Sequence, residues 1–326
     1  MTLSSYDVMA SSTFPDSPVR IPAHNAPIHA LAFSSGSGQY LLTGSADRTV
    51  KLLNPASRRT IQSYQAHGYE VLDIAVSGDN ARFASVGGDK TVFLWDVATA
   101  QTLRRFNGHA GRVNACAFGG DEDGVLCTGS FDGTVKVWDC KSRSDKPIMT
   151  FGDAKDAVSS VAIRGAEVLA GSIDGRVRVY DLRSGEVDVD VLATSGVTSV
   201  ATSKDGEGYL VSTLDSTMRF MDRPTGKCLQ TFRDDGFRNA TYRVRSTFAM
   251  ADSLAVSGTE DGGVFAWDVL SGQLRHKLWH RQNGQKAPGE QVSKKDVVSA
   301  VAWNQMRKQL ASAGGDGEVC VWNVET

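Results

Sequence analysis

The chain of 326 residues has no apolar run approaching the ~18 residues that a membrane-spanning helix needs. Its first stretch, Met1 to Phe14, is rich in Ser and Thr and lacks the apolar segment of a secretory signal. Cysteine is scarce and scattered. Cys116, Cys127, Cys140, Cys228 and Cys320 stand singly, with no Cys-x-x-Cys pair. That argues against a disulfide framework or a zinc site and fits a reducing compartment. Charge of either sign is hardly in excess, at −2 overall, which excludes a uniformly basic nucleic-acid coat. A soluble, intracellular protein is expected. Glycine, by contrast, is plentiful at 33 residues and points to many tight turns. With 41% hydrophobic and 22% charged residues, the chain can build an ample core.

An internal repeat dominates the sequence. Trp95-Asp96, Trp138-Asp139, Tyr180-Asp181 and Trp267-Asp268 each end a short period-two run, and Leu53-Asn54, Met221-Asp222 and Trp322-Asn323 are degenerate copies. Their spacings are 42, 43, 42, 41, 46 and 55 residues. Six residues upstream of each stands an aspartate: Asp47, Asp89, Asp132, Asp174, Asp215, Asp261 and Asp316. The runs on either side of each aspartate, such as Val125–Ser130 and Thr134–Trp138, read as strands joined by a turn. A further strand lies before each hairpin and another after it. Four short antiparallel strands per ~42 residues is the pattern of a propeller blade. The fold class expected is all-β, a seven-bladed β-propeller of four-stranded antiparallel blades. The strand after Trp322-Asn323 is missing, and a spare one near Pro18 to Ala23 precedes His24. That N-terminal strand is expected to complete the seventh blade and close the ring.

The repeats resemble those of the WD-repeat family. The Gly-His that opens many family repeats occurs as Gly108-His109, with looser forms at Ala66-His67 and Ala23-His24, while blades four to seven lack it. The resemblance implies a His, Ser/Thr, Asp and Trp set bracing each blade. Two blades match in full, through His67, Ser85, Asp89, Trp95 and through His109, Thr128, Asp132, Trp138. Physically, a buried Asp and imidazole need partners, and the set supplies both while Trp adds apolar bulk.

Other chemistries are weaker. The His–Ser–Asp sets evoke a hydrolase triad, but they recur blade by blade, as architecture does. His276 and His280 are four apart without a His-Glu-x-x-His frame, so a solvated strand end is preferred to a zinc pair. Gly87–Thr91 lacks the spacing of a phosphate-binding loop and reads as a blade turn. Asn239-Ala240-Thr241 is a glycosylation acceptor only if secreted. An enzyme using the central channel would need polar innermost strands, whereas Ala300-Val301-Ala302-Trp303 reads apolar. No catalytic residue, metal, cofactor, membrane or small-molecule substrate is expected.

The domain reading is a disordered tail over residues 1–16 and a propeller over 17–326, with an insertion at 279–296 between blades six and seven. A smaller insertion runs from Arg233 to Arg243. The 275–295 loop carries Arg275, Lys277, Arg281, Lys286, Lys294 and Lys295 against Glu290, a candidate for peripheral RNA contact. Pro15-Asp16-Ser17-Pro18 has the form of a proline-directed phosphorylation site at Ser17. The residue before each turn aspartate should face one rim. Three successive ones are large and apolar, Phe131, Ile173 and Leu214, against Ala46, Gly88 and Gly315 elsewhere. With Glu70, Arg112, Arg243 and Arg245 on the same face, they form a candidate partner-binding surface.

Within the family, His67–Asp73, Trp138–Ser144, Val158–Val161, Leu169–Arg183 and Ser212–Arg219 resemble the mitogen-activated protein kinase organisers. That resemblance implies a non-catalytic scaffold, with kinase-cascade components and spliceosomal components as partners, a role in pre-mRNA splicing, and residence in nucleus and cytoplasm. The alternative is a substrate receptor of a cullin-based ubiquitin ligase, because Tyr180-Asp181-Leu182-Arg183 resembles the Trp-Asp-x-Arg docking motif.

Overall fold

A computed structural model describes residues 14–15, 17–192, 195–281 and 292–324. These residues form seven four-stranded antiparallel sheets, and one short 3-10 turn at Asp121–Asp123. Blade three shows the general plan. Val113–Gly119 is innermost, followed outward by Val125–Ser130, Val135–Asp139 and Met149–Phe151. The two middle strands carry the β-branched and apolar residues and are largely buried, as Leu126, Cys127, Val135, Val137 and Trp138 are here. Outer strands bury one face only, so Thr102–Asn107 of blade two is exposed at every second residue until Phe106.

Cores form between blades rather than within them. Val92, Leu94 and Phe106 of blade two share a cluster with Cys116, Leu126 and Trp138 of blade three. Blades approach closely enough that a side chain is excluded at some positions. A Cβ at Gly129 would sit 2.5 Å from Val158 Cγ1 of blade four. The innermost strands contact one another in sequence around the ring, and that of blade seven returns to that of blade one.

Closure follows the expected route. Val19–Pro22 pairs antiparallel with Glu318–Asn323, with Val19 opposite Val321 and Pro22 opposite Glu318. Ile21 is buried in the cluster that also holds Ala311, Val319 and Leu53. The terminal strand therefore covers what would be an open sheet edge. Phe14 departs from the disorder expected of residues 1–16. It is 8% exposed, packed with Leu278 and Val256, its ring edge-on to His276 at 4.9 Å. The other residues of that stretch lie outside the described residues, except Pro15.

Candidate functional site

The turn aspartates sit at the rim, and what holds them differs from blade to blade. In blade one, His24 lies 2.7 Å from Asp47 and 2.8 Å from Thr43, without a Trp, since Leu53 stands there. In blade two, His67 bonds Asp89 and Ser85, and Trp95 Nε1 donates to Ser85 at 2.8 Å. In blade three, His109 bonds Asp132 at 3.0 Å and Thr128 at 2.8 Å, and Trp138 Nε1 donates to Thr128 at 2.8 Å. Burial alone would raise the Asp132 pKa. The hydrogen bond from Thr134 and the neighbouring His109 outweigh it and hold the carboxyl at about 2. Burial conversely keeps His24 and His109 below the usual histidine value.

Two expectations about histidine change. His280 is neither solvated nor paired with His276. It is buried, its Nδ1 2.6 Å from Ser312 and its Nε2 3.2 Å from Asp316, so blade seven has the histidine it was thought to lack. The long insertion after it moved it out of register. His276 packs on Phe14 instead, and among the described residues no His/Cys/Asp/Glu group is arranged as a metal site.

Blades four and five use arginine. Arg178, four residues after Asp174, donates to it at 2.7 Å and to Ser172 at 2.8 Å. Burial opposes ionisation of Asp174, but Arg178 and Ser172 hold it at about 2. Arg219 repeats the contact with Asp215 at 3.0 Å and Thr213 at 2.8 Å. The sequence signal was an Arg at the fourth position after Asp in the blades with neither an upstream His nor an aromatic there.

On the rim, Phe131 is 56% exposed, and the Arg112 guanidinium lies over its ring at 5.1 Å. Tyr69, which the sequence did not single out, is 66% exposed. Ile173 and Leu214 are only half-buried; a Cβ at Gly196 would touch Ile173. Arg243 and Arg245 turn away from the rim into the channel. Arg243 crosses from blade six to donate to the Asn114 carbonyl of blade three at 2.5 Å. Arg245 reaches blade two, donating to the Leu72 carbonyl at 3.2 Å and to buried Asp73 at 2.8 Å. Their path inward follows from Glu260, a buried carboxylate that accepts the backbone N–H groups of Ala240, Thr241 and Tyr242 and so anchors the 233–243 insertion.

The innermost strands around the channel are thus more polar than Ala300–Trp303 led one to expect. Asp73, Asn114, Ser159, Ser160 and Ser199 are all buried on innermost strands. At the channel mouth a cavity of about 330 Å³ is bordered by His29, Glu70, Arg112, Asn114, Arg243 and Lys294, among others. His29 lies 3.7 Å from Glu70. That contact, against the opposing effect of burial and with help from the charges of Arg112 and Lys294, lowers the Glu70 pKa.

The basic loop divides. Arg275 pairs with Asp268 at 3.2 Å, Lys277 with Asp234 at 2.8 Å and Arg281 with Asp296 at 3.5 Å. Lys294 borders the channel mouth, and Lys286 and Glu290 lie outside the described residues.

The sequence profile of the family "WD domain, G-beta repeat" matches residues 16–54, 58–96, 100–139, 145–181 and 289–323. The chain belongs to the WD-repeat family. WD repeat domain-containing protein 83 of human is 46% identical over 288 residues, covering 88% of this chain and 86% of that protein. Its rat counterpart is 43% identical over 289 residues, covering 89% and 86%. Autophagy-related protein 16 of Arabidopsis thaliana is 29% identical over 318 residues, 97% of this chain but 60% of its own length. The family profile passes over blades five and six. There Met221 stands for Trp, the 233–243 insertion intervenes and no His opens the blade, yet both sheets form.

Proposed function

We propose that this WD-repeat protein is a non-catalytic protein-interaction scaffold. The observation that carries the reading is the rim over blades two and three. Tyr69 and Phe131 stand exposed there beside Arg112 and the charged channel mouth. An apolar anchor ringed by charge suits recognition of protein segments. The conspicuous histidines support it from the other side. His24, His67, His109 and His280 use both ring nitrogens within their blades, a structural engagement.

The finer reading is a scaffold for mitogen-activated protein kinase signalling that also associates with the spliceosome. It is supported by the resemblance of blades two to five to the kinase organisers. The identity to WD repeat domain-containing protein 83 extends over most of both chains. Affinity purification of the tagged full chain followed by mass spectrometry tests it. Kinase-cascade and spliceosomal proteins are expected in the eluate. An eluate with neither removes the finer reading, and one with no specific protein at all removes the scaffold.

A further inference from the structure

Four cations converge on the channel mouth: Arg112, Arg243, Arg245 and Lys294. Two acids stand against them, Glu70 in the wall and Asp73 beneath, the latter bonded to Arg245. Counting these six groups, two positive charges are in excess around a cavity of about 330 Å³. The arrangement also leaves a donor unused. Arg243 spends one nitrogen on the Asn114 carbonyl, but its Nε is buried without an acceptor. Buried guanidinium N–H groups are normally bonded, so the site presents a polar demand that nothing among the described residues meets. The demand is held in place rather than incidental. Glu260 pins the backbone of Tyr242, and Val244, next to Arg243, is fully buried.

We propose that the channel mouth receives a phosphorylated serine or threonine side chain of a partner segment, with Arg243, Arg112 and Lys294 as its cationic contacts. This rests on the scaffold reading and names the chemistry that the scaffold recognises. A phosphomonoester carries about −1.5 to −2 charges at neutral pH, which matches the excess at the mouth. A carboxylate or a single RNA phosphodiester supplies only one. Three acceptor oxygens also suit donors arriving from separate blades, and arginine nitrogens make charge-assisted bonds to them. The cavity holds one such side chain. Tyr69 and Phe131, exposed on the same rim, offer apolar ground to the residues flanking it.

The test is calorimetric titration of the full chain with an octapeptide bearing one phosphoserine among apolar residues. The serine and glutamate versions, inorganic phosphate and an oligouridine serve as controls. The phosphopeptide should bind at least about tenfold tighter than the glutamate version, because of its second charge. Arg243→Gln should weaken it about tenfold, the worth of one charge-assisted contact. Since Arg243 also struts the channel, Lys294→Glu is the control for folding. Lys294 is exposed, so this variant should keep the parent thermal midpoint yet lose affinity in a salt-sensitive way. A flat phosphopeptide titration overturns the proposal. So do equal binding by both variants and tighter binding of the oligouridine. The scaffold reading fails separately. Partners captured from extract while the phosphopeptide is silent would remove this site and leave the scaffold. Phosphopeptide binding without captured proteins would do the reverse.

Discussion

Blades three and four solve one problem in two ways. Each must hold a carboxylate at the rim turn, Asp132 or Asp174, largely out of water. Blade three uses an imidazole from the preceding loop, His109, and links it through Thr128 to Trp138. Blade four has no such histidine and instead brings Arg178 from its own third strand, linked through Ser172. The hydroxyl in the middle is common to both. The conserved feature of the architecture is therefore the satisfied aspartate, not the residue that satisfies it. The two solutions differ in what acid does to them, because histidine titrates near neutrality and arginine does not.

The largest effect is expected in blade four. Asp174 and Arg178 are 10% and 3% exposed in their side chains, so Arg178→Ala strands a buried carboxylate. Removing one partner of a buried pair costs about 3–5 kcal/mol, readable as a lower denaturation midpoint. In blade three, Asp132→Ala leaves the imidazole and the Ala110 and Thr134 N–H groups without their acceptor. Here the loss should be about 1–3 kcal/mol. Equal losses for the two would break the distinction between the braces. Blade five sharpens it. Arg219 and Asp215 are 14% and 33% exposed, so water can replace the contact, and Arg219→Ala should cost no more than about 1 kcal/mol.

The pH dependence separates the blades with smaller effects. Burial keeps His109 below its usual 6.5, so the unfolded chain takes up a proton that the folded blade resists. Stability from neutral His109 is full above pH 6.5 and declines as pH falls below it. Asp132 and Asp174, both held at about 2, contribute fully above about pH 4 and lose that contribution as pH falls toward 2. His109→Gln should therefore flatten the slope of stability against pH between 7 and 5, which urea titrations across the interval read.

The repeat was legible because its seven aspartates keep one offset from the strand end, and a hairpin fixes that distance. The histidines keep no such distance. Three lie 22 or 23 residues before their aspartate, but His280 lies 36 before Asp316, since the insertion falls between them. Spacing failed there although the three-dimensional place was kept. Arg178 and Arg219 escaped notice because the family pattern asks for histidine, not for any donor. Arg243 and Arg245 were assigned to the rim face by their place at the entry strand of blade six. That place does not give the direction of a long side chain at the edge of a channel, and both reach inward to blades three and two. Glu260 carries no motif at all. Its role follows from the insertion it anchors, which composition cannot show.

The claim on which the functional account depends is that the rim near Phe131 binds protein while the braces beneath it only hold shape. Phe131→Ala with Tyr69→Ala tests it, because both side chains are exposed, at 56% and 66%. The account predicts a thermal midpoint within experimental error of the parent and partner capture weakened by at least about 2 kcal/mol, the scale of a binding hot spot. A folded variant that captures the same partners with the same affinity would contradict it.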